Sequence, residues 1–183
     1  MSLANQLSIF RLLLVPGIIA CLVYYDPQRD WLRLLALGLF AVGMASDAVD
    51  GYVARSKAQW TRLGSFLDPL ADKLLLLTAF LSLALIRDLP QDLRVPAWVV
   101  IVFVSRESFV VIGCLLLYHL TGRLEMLPSR LGKWAAFLQM LVVPVVLLRW
   151  PWAPWVWTAA AALTIISGVN YLRRGGRLLS GTS

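Results

Sequence analysis

Residues 66–86 read FLDPLADKLLLLTAFLSLALI, and no charged side chain occurs between Leu74 and Ile86. A run of about 20 mostly apolar residues has the length that an α-helix needs to cross the hydrocarbon core of a bilayer. The sequence contains five further runs of this kind, at residues 7–24, 31–54, 96–120, 131–150 and 155–172. The pattern therefore predicts an all-α integral membrane protein with six transmembrane helices.

The composition of the whole chain supports the same class. The 183 residues are 60% hydrophobic and 15% charged, and their mean hydropathy is +0.76. A soluble domain is about half apolar and about one-quarter charged, so disordered, coiled-coil and disulfide-rich secreted classes are excluded. The connections between the apolar runs are short and no internal repeat is visible. We therefore predict a single domain covering residues 1–183.

The positive charges predict the orientation in the membrane. The net charge is +7, which we assign to membrane topology and not to nucleic-acid binding. One side of the predicted membrane carries most of the Lys and Arg residues: Arg55, Lys57, Arg62, Arg123, Arg130, Lys133, Arg173, Arg174 and Arg177. The opposite side carries fewer: Arg29, Arg33, Arg87, Arg94 and Arg149. Because cytoplasmic loops are enriched in Lys and Arg, we expect a cell-membrane protein, surrounded by lipids, with both termini in the cytoplasm.

Four carboxylates interrupt the second and third apolar runs. These residues, called the motif aspartates below, are Asp47, Asp50, Asp68 and Asp72. A carboxylate inside a membrane span costs several kcal/mol, so it is by default a functional hypothesis. The alternative is a set of structural acids that pair with nearby Arg or Lys. The spacings of three and four residues place both members of each pair on one helix face, which favours a functional site.

The surroundings of the motif aspartates predict a cation site in a polar cavity that opens to the cytoplasm. Gly51 and Ala54 share a helix face with the first pair, and the short basic connection from Arg55 to Gly64 brings the two apolar runs together. Clustered carboxylates raise one another's pKa, so either some are protonated or cations lie among them. Ligands that are all oxygen select hard cations, here two Mg²⁺ or Mn²⁺ ions, which could clamp a diphosphate.

Eight residues of this region form the pattern D-x2-D-G-x2-A-R-x8-G-x3-D-x3-D between Asp47 and Asp72. The pattern resembles the motif of the CDP-alcohol phosphotransferase family, and the six-helix layout is similar as well. The resemblance implies an enzyme that cleaves a CDP-linked substrate, releases CMP and transfers the remaining phospho-group to an alcohol. It also implies a homodimer.

The resemblance assigns roles to individual residues. It implies that Asp47, Asp50 and Asp68 hold two metal ions, and that Asp72 contributes to the second ion and acts as the general base. It further implies a set of residues that line the CDP pocket: Asn5, Gly51, Ala54, Arg55 and Gly64.

Shorter motifs resemble the branch of the family that makes phosphatidylglycerophosphate in phospholipid biosynthesis. They are Asn5, Leu7, Ser8 and Arg11 at the start of the chain, Ser105, Arg106 and Glu107, and Gly132, Lys133 and Gln139. This likeness implies transfer of a phosphatidyl group from CDP-diacylglycerol to glycerol 3-phosphate. Ala135 and Ala136 stand where that branch has Lys and Thr.

Three alternatives remain open from the sequence. A CMP-forming cardiolipin synthase, with phosphatidylglycerol as acceptor, shares most of these motifs, including LDPLADK at residues 67–73. An inositol-phosphate transferase is a further alternative within the family. A divalent-cation or proton-coupled transporter would also use intramembrane aspartates. Transport does not require Gly51, Ala54 and Gly64 at these spacings, and no inverted repeat is visible.

Three basic residues are candidates for binding an acceptor phosphate. Arg106 lies near the middle of the fourth apolar run, where a charge is most costly. Sequence neighbours on a helix do not face each other, so we do not expect Glu107 to pair with it. The alternative is an Arg–acid pair that braces two helices. Arg130 and Lys133 share a face at the start of the fifth run, where topology alone also explains positive charge.

Overall fold

A computed structural model of the protein describes residues 3–57, 64–86, 88–121 and 130–179. Within these ranges, the structure does not describe the side chains at the following positions: 3–5, 7–8, 47–57, 64–70, 72, 111, 113–121, 130, 172 and 174–179. In the described ranges the regular structure is entirely helical, which confirms the all-α class. The α-helices are α1 (Leu3–Val23), α2 (Trp31–Lys57), α3 (Gly64–Leu85), α4 (Ala97–Thr121), α5 (Arg130–Leu147) and α6 (Ala153–Leu179). Two 3₁₀ turns lie between them, at Pro27–Arg29 and Gln91–Leu93.

The six helices lie where the apolar runs predicted them, but four ends differ by three or more residues. Helix α1 begins at Leu3 instead of residue 7, α2 ends at Lys57 instead of residue 54, and the ends of α5 and α6 differ as well. Helix α6 continues to Leu179, past the predicted end at residue 172, through a segment that is more polar than the apolar run before it. Helix α5 ends at Leu147, before the predicted end at residue 150. Arg149 has a φ of 54°, and the Arg149 and Trp150 amides donate to the Val146 and Val145 carbonyls, a Schellman ending of the helix.

Among the described residues, no helix combines the length and the apolar character that crossing a membrane requires.

The chain divides into two compact units. The first comprises Met1–Val95 with Val143–Trp150, and the second comprises Pro96–Val142 with Pro151–Ser183. The amino-terminal part of α5 therefore belongs to the second unit and its last turns to the first. Our prediction of one domain over residues 1–183 stays a prediction.

In the first unit, α1 packs against both α2 and α3. Leu39 Cδ1 lies 3.2 Å from the place that a Cβ on Gly17 would occupy. The corresponding place on Gly43 lies 2.7 Å from Leu75 Cδ2 and 3.5 Å from Leu14 Cδ1. Gly43 therefore marks a level at which all three helices meet. Because residue numbers rise along α1 while they fall along α2, these two helices are antiparallel.

A polar network closes one end of the first unit. Arg149, which follows α5, lies 3.6 Å from an Asp30 oxygen and 2.8 Å from Asp92 Oδ2, and it donates a hydrogen bond to the Tyr25 hydroxyl. Arg33 forms a two-pronged pair with Asp30, at 2.9 and 2.6 Å. The end of α1, the start of α2 and the segment after α3 therefore lie together. The start of α1, the end of α2 and the start of α3 must then lie at the opposite end of this unit.

This network contains groups with shifted pKa values. Hydrogen bonds from Arg33 lower the pKa of the Asp30 carboxyl to about 2. Burial raises the pKa of the Tyr25 phenol, which stays protonated and donates to Asp30 at 3.2 Å. Arg33 also donates to the Leu147 carbonyl, one of those that the last turn of α5 leaves unpaired. The network thus fastens the end of α5 to the start of α2.

In the second unit, α4 packs against α6. Gln139 of α5 is buried and donates a 3.0 Å hydrogen bond to the Thr164 hydroxyl of α6, which in turn donates to the Ala160 carbonyl. The Tyr171 hydroxyl of α6 lies 3.4 Å from the Val110 carbonyl of α4. Gln139, which the sequence placed in a functional motif, therefore satisfies buried polar groups between α5 and α6.

Candidate functional site

The last turns of α2 carry the first pair of motif aspartates. An α-helix rises about 1.5 Å per residue, so Asp47 lies about 6 Å and Asp50 about 10 Å beyond the level of Gly43. At about 100° per residue, both positions lie within about 40° of Gly43 around the helix axis. Their backbone positions are therefore on the face of α2 that meets α1 and α3.

The first turns of α3 carry the second pair. Asp72 precedes Leu75 by one turn, about 4.5 Å, and Asp68 precedes it by two turns, about 10 Å. Both positions lie within about 60° of Leu75 around the axis of α3. Because α2 and α3 run in opposite directions, Asp47 comes level with Asp72 and Asp50 comes level with Asp68. The backbone thus arranges the motif aspartates in two layers, one helical turn apart, at the end of the unit opposite the Arg149 network.

This arrangement fits the two-ion site that the sequence predicted. Each layer offers two carboxylates from different helices, and carboxylate oxygens suit Mg²⁺ or Mn²⁺. The side chains of the motif aspartates lie outside those that the structure describes. Among the described side chains, no three His, Cys, Asp or Glu residues come together as a metal site. The metal prediction thus stands on the backbone register and on the donor chemistry.

The predicted CDP-binding residues lie partly on the same faces. By helical periodicity, Gly51 and Ala54 fall on the face of α2 that carries Asp47 and Asp50, and Gly64 falls on the Leu75 face of α3. Arg55 lies about 120° from Gly43, and Asn5 about 180° from Leu14 on α1. Periodicity thus brings Gly51, Ala54 and Gly64 to the motif aspartates and does not bring Asn5 there. The side chains of all five lie outside the described set.

The predicted acceptor residues all belong to the second unit. Arg106 Nη1 forms an ion pair with Glu107 Oε1, which corrects the expectation that these neighbours would not pair. The expectation was wrong because both side chains are long enough to curl toward each other from adjacent positions. The Arg106 side chain is 16% exposed, and among the described residues its buried Nε has no hydrogen-bond partner. Lys133 is exposed on α5, and the Arg130 side chain is not described.

Arg11 had no predicted role beyond its place in the opening motif, although the structure buries it completely. Its side chain is 0% exposed in α1, one turn before Leu14. A signal was present, since an arginine inside an apolar run must be buried beside an anion or reach water. Arg11 lies near the predicted cytoplasmic end of this run, where arginines are common for topological reasons. The residue was therefore not recognised as a candidate for burial.

Comparisons with known proteins agree with the motif. A family model described as CDP-alcohol phosphatidyltransferase matches residues 1–166. A probable phosphatidylglycerophosphate synthase of Mycobacterium tuberculosis is 32% identical, covering 98% of this chain and 84% of that protein. A CDP-diacylglycerol–glycerol-3-phosphate 3-phosphatidyltransferase of Bacillus subtilis is 34% identical over 97% of each chain. A CMP-forming cardiolipin synthase of Oryza sativa is 32% identical, over 80% of this chain and 46% of that protein.

The chain belongs to the CDP-alcohol phosphatidyltransferase family. This confirms the family that the spacing of Asp47, Asp50, Asp68 and Asp72 predicted. An enzyme of this family is therefore favoured over a transporter that uses the same aspartates.

Proposed function

We propose that this protein transfers the phosphatidyl group of CDP-diacylglycerol to glycerol 3-phosphate, with release of CMP. This is the activity in the printed name of the Bacillus subtilis relative, which matches over almost its whole length. The observation that carries the proposal is the register set by Gly43 and Leu75, because it brings the four aspartates of the family motif to one end of one unit.

Asp47, Asp50, Asp68 and Asp72 would hold two Mg²⁺ or Mn²⁺ ions. When bound, such ions supply positive charge that offsets the negative charge of the diphosphate and of the departing CMP. Gly51, Ala54 and Gly64 would let the cytidine and diphosphate approach the helix backbone, since they carry at most a methyl group. Arg55 would bind a phosphate oxygen. Asn5 stays a prediction from the family motif, because helical periodicity does not bring it to the motif aspartates.

Asp72 acts as the general base in this proposal. It accepts the proton of the acceptor hydroxyl, whose oxygen then forms a bond to the β-phosphorus of CDP-diacylglycerol. The bond from that phosphorus to the bridging oxygen breaks, and CMP leaves with the bridging oxygen. Arg106, Arg130 and Lys133 would bind the phosphate of glycerol 3-phosphate, which carries about two negative charges at neutral pH.

The same proposal places the protein in the cell membrane as an integral protein with both termini in the cytoplasm. Its support is the 60% hydrophobic composition and the many large apolar side chains that stay exposed on the helices. Trp31, Trp98, Trp150, Trp152 and Trp155 are all exposed and occur at helix ends, where Trp belongs at a membrane interface. The acyl chains of CDP-diacylglycerol would lie among the membrane lipids, and the enzyme would act as a homodimer.

An acceptor panel with purified protein tests the reaction. CDP-diacylglycerol is offered with glycerol 3-phosphate, phosphatidylglycerol or inositol phosphate, and CMP and the lipid product are measured. We expect phosphatidylglycerophosphate with the first acceptor, complete loss of CMP release in EDTA, and recovery on adding Mg²⁺ or Mn²⁺. Full activity in EDTA would remove the metal ions from the proposal.

A cardiolipin synthase is the second candidate, because the Oryza sativa protein with that name matches 80% of this chain. The match covers 46% of the Oryza sativa protein, whereas it covers 97% of the Bacillus subtilis protein. Product formation with phosphatidylglycerol and none with glycerol 3-phosphate would replace the first candidate by the second.

A further inference from the structure

Arg11 combines a permanent positive charge with complete burial. Its side chain is 0% exposed, the lowest exposure that a residue can have. A guanidinium stays protonated in proteins, and removing one from water costs several kcal/mol unless anionic groups lie close by. Negative charge at the level of Arg11 would offset this cost.

The first unit has few groups that could provide it. Its acidic residues are Asp26, Asp30, Asp47, Asp50, Asp68, Asp72, Asp88 and Asp92. Asp30 and Asp92 belong to the Arg149 network, and Asp26 and Asp88 occur in the same connections. That end begins where α1 ends at Val23, about 18 Å along the helix from Arg11. This is farther than an arginine side chain reaches, so among the acidic residues of the first unit the motif aspartates are the candidates.

The helix register brings two of them level with Arg11. Arg11 precedes Leu14 by three residues, as Asp72 precedes Leu75, and Asp47 follows Gly43 by four. Since Leu14, Gly43 and Leu75 meet at one level, Arg11, Asp47 and Asp72 lie about one turn from it in the same direction. Arg11, Asp47 and Asp72 thus occupy neighbouring faces of α1, α2 and α3.

We propose that Arg11 is a positioning residue that supplies a fixed positive charge to the motif aspartates and holds Asp47 and Asp72 in place before metal binds. The proposal rests on the proposed metal site. Without metal, Arg11 offsets repulsion among the carboxylates, and with metal the ions take over part of that task. Loss of the Arg11 charge should therefore harm the metal-free protein more than the metal-bound protein.

Thermal unfolding of the full-length protein in detergent tests this role, with each variant measured in EDTA and in saturating Mg²⁺. We expect Arg11→Met to lower the Tm in EDTA by about 3 °C or more beyond its effect in Mg²⁺. By linkage, the same variant should bind Mn²⁺ more tightly than wild type does. Arg11→Lys keeps the charge, so the difference between its Tm values in Mg²⁺ and in EDTA should be close to that of wild type. The matched control is Leu22→Ala, a buried position of α1 far from the aspartates, which should lower both Tm values equally.

Equal losses for Arg11→Met in EDTA and in Mg²⁺ would overturn the proposal and leave Arg11 a packing residue. Where Arg11→Met does not fold, Arg11→Gln repeats the comparison without the charge. No Mg²⁺ shift in wild type would refute the metal site instead, and a double-mutant cycle of Arg11→Met with Asp72→Asn in EDTA then decides the Arg11 role. We expect Arg11→Met to cost less in the Asp72→Asn background; additive effects would contradict the pairing.

Discussion

At the scale of single residues, Asp72 has the most specific proposed role. Asp72→Asn keeps the size of the side chain and removes the base, so turnover should fall by about 10²- to 10⁴-fold. Affinity for CDP-diacylglycerol in the presence of metal should remain measurable, because three motif aspartates are unchanged. Single-turnover CMP release and equilibrium binding of the nucleotide-lipid separate the two effects. An Asn variant with wild-type turnover would exclude Asp72 as the base.

Asp30, at the opposite end of the same unit, should make the stability of the protein depend on pH. Its pKa is lowered to about 2, below the value near 3.9 of an unfolded chain. The Asp30 contribution to stability should therefore be complete above about pH 4 and disappear as the pH falls toward 2. The difference in Tm between wild type and Asp30→Asn, measured from pH 7 to pH 2.5, should shrink over that range. A difference independent of pH would show that Asp30 acts through packing alone.

Sequence alone could predict the identity of the key residues better than their contacts. The motif aspartates could be found because a carboxylate in an apolar run is costly and because their spacing is regular. The pairing of Arg106 with Glu107 could not, since it depends on how two long side chains bend. The Arg149 network also joins residues distant in sequence, Tyr25, Asp30 and Asp92, and no local pattern links them.

At the scale of helices, the close approach of α2 and α3 at Gly43 offers a matched pair of substitutions. A Cβ on Gly43 would lie 2.7 Å from Leu75 Cδ2, whereas one on Gly38 of the same helix would meet nothing within 4 Å. Gly38→Ala should stabilise the protein by about 0.5–1 kcal/mol through helix propensity. Gly43→Ala should lose this gain and destabilise by about 1 kcal/mol, because Leu75 must shift. Denaturant unfolding measures both.

The Leu75→Ala background checks the cause of that difference. With the Leu75 methyl groups removed, Gly43→Ala should behave like Gly38→Ala. If Gly43→Ala stabilises the wild-type protein as much as Gly38→Ala does, the close contact is absent and the register of the motif aspartates must be revised.

Helix positions were predictable from the apolar runs, and helix ends were not. Helix α2 begins at Trp31, as predicted, where the apolar run begins. Helix α5 ends early because Arg149 adopts a left-handed conformation that its ion pairs stabilise, and such tertiary stabilisation leaves no mark on the local sequence. Helix α6 ends later than predicted, because the apolar run stops at residue 172 while the backbone stays helical through a polar segment that includes Gly175 and Gly176. Local helix propensity does not explain this continuation.

At the scale of the whole molecule, the candidate residues are divided between the two units. The motif aspartates belong to the first, and Arg106 and Lys133 belong to the second. The enzyme family followed from the first set alone, because that motif is local to α2 and α3. In our proposal the second set binds the acceptor, but its motifs are short and lack the Lys and Thr replaced by Ala135 and Ala136.

Arg106 and Lys133 of this second set should control the affinity for the acceptor. Arg106 is 16% exposed and retains a buried Nε with no partner among the described residues, so it can donate to an additional anion. A charge-assisted hydrogen bond contributes about 1.5–3 kcal/mol. Arg106→Ala should therefore raise the KM for glycerol 3-phosphate by about tenfold or more, and change that for CDP-diacylglycerol little. Lys133→Ala should act in the same direction but more weakly, since an exposed charge contributes about 0.2–1 kcal/mol.

Steady-state kinetics with each substrate varied in turn measures this selectivity, and Glu107→Gln provides the control. Glu107→Gln removes the ion pair and leaves the Arg106 charge in place, so it should preserve the KM for glycerol 3-phosphate if Arg106 binds the phosphate. If Arg106 instead serves only to pair with Glu107, the two substitutions should impair both substrates alike. The pattern across the two variants therefore distinguishes an acceptor residue from a structural ion pair, which the family motif alone does not do.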